Sequence, residues 1–229
     1  MIVLEGKAVF EGVAILYEDN HVIVCNKPAG ILSQADGSDA PDMLTILKKY
    51  IKEKYEKPGE VYLGLVHRLD RPVSGVMVFA RTSKAASRLS EQIRAGKTVK
   101  CYRCIVSGIV EGEGKLENYI LKDSKTNTVT VTDKPAGDAK YAVLEYKAVR
   151  SQGDKTLVNI KLGTGRSHQI RAQMAHFGHP IAGDRRYGKE GNVNYDIALQ
   201  SYRFEFDHPT KKERMIFEIP VPSCAPWFS

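Results

Sequence analysis

The order of apolar and polar positions changes period several times along the chain, and each change marks an element. Val22-Ile23-Val24-Cys25 is a short unbroken apolar run, and the turn-forming Asn26-Lys27-Pro28-Ala29-Gly30 follows it, so a strand and then a turn are expected. Met43, Leu44, Leu47, Ile51 and Tyr55 recur at helical spacing. Pro41 and Asp42 suit the start of that helix and Pro58-Gly59 its end, while its other face is rich in lysine. A second apolar run, 76–80, predicts a strand. Helical spacing over 83–95 follows, with Ala86, Leu89 and Ile93 marking the buried face and Gly96 the stop.

From Thr98 onward the period becomes two. Strands are expected near 99–106, 128–132, 142–149 and 157–162, joined by polar or Gly-containing turns. Helical spacing returns over 167–177, with Ile170, Met174 and Phe177 on one side and Gly178 behind; 197–206 and 215–219 again read as extended. Runs of strands with helices inserted between them, without strict alternation, predict an α+β fold around a largely antiparallel sheet. With no internal repeat and no low-complexity linker, 1–229 reads as a single domain with room for two lobes.

Composition sharpens this picture in three ways. First, 229 residues with 42% hydrophobic side chains can bury a sizeable core, which excludes a disordered chain. Second, Glu5, Glu11, Glu18 and Asp19 interrupt the first twenty residues, which does not fit a secretory leader, and no stretch approaches the roughly 18 apolar residues of a membrane span. A cytoplasmic, membrane-free protein is expected. Third, 34 Lys and Arg against 27 Asp and Glu give +7, a balance that favours a polyanionic partner by speeding encounter and releasing counterions.

Metal and cofactor chemistry find little support. Cys101 and Cys104 form a C-x-x-C, but no matching second pair exists, and TVKCYRCIV is strand-like, where positions three apart face opposite sides. Spacings of eight and three between His168, His176 and His179 offer no coordinating face. No P-loop or dinucleotide fingerprint is present, so no metal, cofactor or bound nucleotide is expected. Gly163-Thr164-Gly165 reads first as a turn, with Arg166 beside it as the candidate phosphate contact.

One segment reads either as a candidate for chemistry or as a surface ion pair of little energetic worth. Val66-His67-Arg68-Leu69-Asp70-Arg71-Pro72-Val73-Ser74-Gly75 sets a carboxylate between two arginines in a Pro- and Gly-containing loop that leads into an apolar strand, which fixes its position. Its HRLDRPVSG resembles the HRLD-x-x-TSG motif of the RluA-type pseudouridine synthases. Three other stretches agree in order and spacing. Ile15-Leu16-Tyr17-Glu18-Asp19 through Asn26-Lys27-Pro28-Ala29-Gly30 resembles the family's opening, and Lys100 with Tyr102 its K-x-Y motif. Gly163-Thr164-Gly165-Arg166-Ser167-His168-Gln169-Ile170-Arg171, continuing to Gly178-His179-Pro180-Ile181-Ala182-Gly183-Asp184 and Tyr187-Gly188, resembles its third. The resemblance covers about 14–222, and four motifs in sequence make coincidence improbable.

The resemblance implies the pseudouridine synthase fold with an active-site cleft, and isomerisation of uridine to pseudouridine in tRNA or large-subunit rRNA. It makes Asp70 the catalytic carboxylate, as nucleophile or base, Tyr102 the platform stacked on the target uracil, and Arg171 the partner of Asp70. Arg68 would fill the stack vacated by the flipped base, and His67, Arg166 and Leu199 would line the substrate. Such a bidentate guanidinium grip keeps a carboxylate oriented. One carboxylate suffices where water must be excluded, unlike the acid–base pair of hydrolytic glycosidases. The expected partner is RNA, bound by a monomer.

Two positions depart from the family pattern. Val73 stands for the threonine of TSG, and Leu199-Gln200-Ser201 replaces LHA, which touches local hydrogen bonding and substrate choice. The family-like region begins almost at Met1, so no S4-like RNA-binding domain is expected ahead of it. Two rival readings remain: a non-catalytic RNA-binding or chaperone module on the same fold, and hydrolytic base removal.

Overall fold

A computed structural model describes residues 2–3, 8–188 and 193–228, with side chains from 8 onward. In chain order the elements are β1 (Ile2–Val3), β2 (Ala8–Phe10), β3 (Val13–Glu18), β4 (Val22–Lys27), α1 (Met43–Lys54), β5 (Gly64–Leu65), β6 (Ser74–Ala80) and α2 (Ser83–Arg94). There follow β7 (Val99–Ser107), β8 (Glu113–Asp123), β9 (Thr128–Thr132), β10 (Lys140–Gln152), β11 (Lys155–Leu162), α3 (Gln169–His176), β12 (Leu199–Asp207) and β13 (Arg214–Glu218). Nearly all strand pairing is antiparallel, β1 with β13 being a parallel exception, so the α+β expectation holds. The chain divides into two compact units, Met1–Val99 with Ser201–Pro220 and Lys100–Gln200 with Val221–Ser229.

In the first unit the strand order is β2-β3-β4-β6-β12, with β13 beside β12. Leu16, Val22, Val24, Val76, Val78 and Ala80 pack with Phe204, Phe206 and Phe217 and with Ala85 and Leu89 of α2. Both helices begin where the sequence places a cap. Asp42 accepts from Thr45 N at 3.2 Å, and Thr82 accepts from Ala85 N at 3.1 Å, each satisfying an orphan amide of the first turn. Helix α1 ends with Lys52 and Lys54 against its dipole, and α2 gives way to Gly96 at φ +66°. The buried faces differ in detail from the sequence reading. Ile46 and Tyr50 join Met43, Leu47 and Ile51, and Ala85 is the deeply buried alanine of α2, with Ala86 at its margin. The expected turn also begins later, since Asn26 and Lys27 still belong to β4.

In the second unit the order is β7-β11-β10-β8-β9, and β8 is an addition to the expected strands. Its core includes Ile120, Val129, Ala142 and Ala172. Helix α3 is shorter than the expected 167–177, and it is buried on a polar side as well as an apolar one. Gln169 and Gln173 are as buried as Ile170 and Met174, whereas Phe177 is partly exposed against Tyr146 and His179. Gln169 Nε2 donates to Val143 O (3.0 Å) and Gln173 Oε1 (2.9 Å), while Gln169 Oε1 accepts from Thr164 Oγ1 (2.8 Å) and Arg166 N (3.0 Å). Gln173 Nε2 donates in turn to Asn118 Oδ1 at 2.8 Å, and Asn118 Nδ2 to Asp133 Oδ1 at 2.9 Å. Gln169, Gln173 and Asn118, the buried members of this chain, are each satisfied, which fixes the rotation of α3.

Candidate active site

The loop before β6 is pinned at alternate residues. The His67 ring stacks on Phe204, centroids 4.7 Å apart, and its Nε2 accepts from Val78 N at 3.0 Å, which leaves the ring proton on Nδ1. Leu69 is held on both sides of its backbone by Ser33 Oγ, which donates to Leu69 O at 2.8 Å and accepts from Leu69 N at 3.1 Å. Arg71 O accepts from Gly30 N (2.9 Å) and Lys27 Nζ (3.0 Å), and Val73 N closes a turn onto Asp70 O at 3.0 Å. Between these fixed points stand the exposed Arg68 and the half-buried Asp70. Gly75, at φ +133°, lies so close to β12 that a Cβ there would meet Ser201 N at 2.6 Å, so the entry into β6 admits no side chain.

Lys27 is the cation behind this loop. It is fully buried, and its ammonium donates to three carbonyls: Pro28 O (2.9 Å), Ile31 O (2.6 Å) and Arg71 O (3.0 Å). Burial pushes its pKa down to about 8, the charge of Asp70 pulling it upward and that of Arg71 adding to the fall. The sequence reading placed Lys27 in a turn and within the family-like opening but gave it no role. The available signal was its place at the end of an apolar strand, before Pro28, where a charged side chain has to turn inward or leave the strand.

In the second unit the expected residues lie on β7, in the loop before α3, on α3 and at the start of β12. Tyr102 sits opposite Ile160 on β11 with 8% of its surface exposed, and burial pushes the pKa of neighbouring Lys100 down. Leu199 is buried at 3%. Arg166 is exposed, and its Nε donates to Tyr141 O at 2.9 Å. Arg171 stands in the first turn of α3, and Asp184 grips it through two bonds: Nε to Oδ2 at 2.8 Å and Nη2 to Oδ1 at 2.7 Å. Burial acts to raise the pKa of Asp184, but the bonds and charge of Arg171, with the Arg186 and Tyr187 amides, hold it below the usual carboxylate range. The Tyr187 ring lies 5.3 Å from the Arg171 guanidinium carbon. The sequence reading quoted Asp184 and Tyr187 within the third motif but gave them no role; a carboxylate thirteen positions from an arginine has no periodicity that pairs them.

Within each unit, then, the chain builds one ordered element around one ion. The first holds a carboxylate on a pinned loop with a buried cation behind it. The second presents a guanidinium whose Nε and Nη2 edge is already taken by Asp184, so a further acceptor has to be met by its remaining N–H groups. Among the described residues no group of three or more His, Cys, Asp or Glu could hold a metal ion. Among them, too, no helix is long and apolar enough to cross a membrane.

Comparison with known proteins bears on these residues. The sequence profile of the RNA pseudouridylate synthase family matches residues 21–176. Ribosomal large subunit pseudouridine synthase D of Neisseria meningitidis serogroup A is 35% identical over 221 residues, covering 91% of this chain and 58% of that protein. An uncharacterized RNA pseudouridine synthase of Aquifex aeolicus is 34% identical over 222 residues, covering 91% and 69%. Among solved structures, human RNA pseudouridylate synthase domain containing 4 shares the fold at a TM-score of 0.76, with 22% identity over 91% of this chain and 88% of that one. The chain thus spans less than two thirds of the length of the Neisseria protein.

Proposed function

The chain belongs to the RNA pseudouridylate synthase family, and from that premise we propose that it isomerises uridine to pseudouridine in RNA with Asp70 as the catalytic carboxylate. The observation that carries the reading is the loop around Asp70, where the residues on either side are tied down and the carboxylate stands between them. A fixed carboxylate costs no reorganisation at the moment of reaction.

The reaction balances without a cofactor. The N1–C1′ bond breaks, the uracil turns, C5 bonds to C1′, and the proton lost from C5 is matched by one gained at N1. Asp70 serves either as nucleophile at the sugar or as base toward it, and the amide of Asp70→Asn can do neither. Extruding the target base loses stacking, which Tyr102 as platform and Arg68 as filler of the vacated space would offset, with His67, Arg166 and Leu199 lining the substrate and Arg171 partnering the carboxylate. The net charge of +7 supports RNA as the partner, and the names of the relatives favour large-subunit rRNA over tRNA.

Single-turnover conversion of a uridine-containing rRNA fragment, with enzyme in excess, tests this. Asp70→Asn should lose at least about 10³-fold in rate while binding and melting temperature stay near wild type. A folded variant that makes pseudouridine at the wild-type rate overturns the assignment of Asp70. Wild type that binds RNA and converts no uridine would favour the non-catalytic module, and abasic ribose as product would favour hydrolysis.

A further inference from the structure

His168 is the N-cap of α3, and its backbone sits in the left-handed region at φ +50°, ψ +20°. That conformation is costly for a residue with a Cβ, and the side chain makes no capping bond that would repay it. Its ring instead meets Tyr187: His168 Nδ1 lies 2.8 Å from the Tyr187 hydroxyl. A strained residue that forgoes the local bond its position offers, in favour of a distant one, points to a use for the ring.

The other contacts of the hydroxyl favour one direction for that bond. Val129 N donates to Tyr187 O at 3.0 Å, so one lone pair is taken by a group that can only donate. The phenol proton then has a single acceptor within reach among the described residues, His168 Nδ1. With Nδ1 accepting, the neutral imidazole carries its proton on Nε2. The same tyrosine ring lies against the Arg171 guanidinium, which Asp184 fixes from its other edge.

We propose that Tyr187 is a positioning residue of the active site, its ring backing Arg171 and its hydroxyl locking His168 as the neutral Nε2–H tautomer, so that the imidazole acts as a fixed hydrogen-bond donor and not as a proton carrier. The inference deepens the reading above and rests on it for the role of Arg171. Tyr187→Phe separates the two functions, because it keeps the ring against Arg171 and deletes only the hydroxyl. His168→Asn removes the imidazole but keeps a residue that tolerates the left-handed backbone.

The test has one arm that does not involve activity. Long-range ¹H–¹⁵N NMR of labelled histidines should show His168 in wild type with Nδ1 unprotonated and Nε2 protonated, and in Tyr187→Phe an average of both tautomers. In single-turnover conversion Tyr187→Phe and His168→Asn should each be slower by about tenfold, the worth of one net hydrogen bond, with RNA affinity unchanged. The double variant should be no slower than the slower single one. A purely structural tyrosine would lower the melting temperature and leave both the tautomer and the saturating rate as they are. Wild-type His168 protonated on Nδ1, or a Tyr187→Phe protein that retains the single tautomer, overturns the proposal. Should wild type convert no uridine at all, the NMR arm still decides the role of Tyr187, and only the reading of the site falls.

Discussion

The loop around Asp70 and the helix carrying Arg171 solve the same problem, holding one ion in place, by opposite means. The loop is held through backbone atoms: carbonyls on Lys27, an amide and a carbonyl on Ser33, a glycine whose missing Cβ lets β6 approach β12. The helix is held through side chains, by the chain of amides from Asn118 through Gln173 and Gln169 and by the Asp184 grip. Backbone ties leave no slack, because a lost partner strands a buried polar group that cannot turn elsewhere. An amide network has several routes to each member, so it should lose strength in steps.

Gly75→Ala gives the contrast its largest expected effect. The new methyl has to displace Ser201 from β12 and adopt φ +133°, so a loss of about 4 kcal/mol is expected by urea denaturation, with conversion falling further than stability because the Asp70 loop moves with β6. A variant within about 1 kcal/mol of wild type would show that the loop is not held by this approach.

Gln173→Leu probes the other side. It removes the donor to Asn118 and the acceptor for Gln169, yet Gln169 still donates to Val143 O and Asn118 to Asp133. The expected cost is about 2 kcal/mol, with conversion within about tenfold of wild type. A collapse comparable to Gly75→Ala would mean that the network is as brittle as the loop, and the contrast would fail.

How far the sequence revealed these two regions follows from the same difference. Periodicity reports apolar faces, and it placed α1, α2, β6 and β9 well because their buried sides are apolar. It passed over β8, whose inward positions include Gly114 and Asn118, and it read α3 by Ile170 and Met174 while missing the two buried glutamines. The resemblance supplied Asp70, Tyr102 and Arg171 as single positions. It did not supply the contacts that make them rigid, since Lys27 reaches Ile31 O and Arg71 O across 4 and 44 residues, and Asp184 meets Arg171 across 13, pairings that no local pattern encodes.

The smallest effect isolates Lys27, the buried charge behind the backbone-held loop. Its pKa falls from 10.5 to about 8 on folding, so between those values the unfolded chain binds more protons than the folded one. Stability contributed by this group therefore rises with pH: the cost of burying the charge is present in full below about pH 8 and is relieved as pH climbs through 8 toward 10.5. Between pH 7 and 8.5 the gain should be about 1 kcal/mol. Other groups titrate as well, so the quantity to measure is the stability of wild type minus that of Lys27→Met at each pH, which cancels whatever the two proteins share. The difference should move in favour of wild type as pH rises. Conversion should move the other way, because a neutral amine has two N–H groups for three carbonyls and one of Pro28, Ile31 and Arg71 loses its donor. A stability difference that stays flat or falls over this range would mean that the three carbonyl bonds outweigh desolvation and keep the ammonium charged. The loop would then be held by a permanent cation and show no loosening with pH.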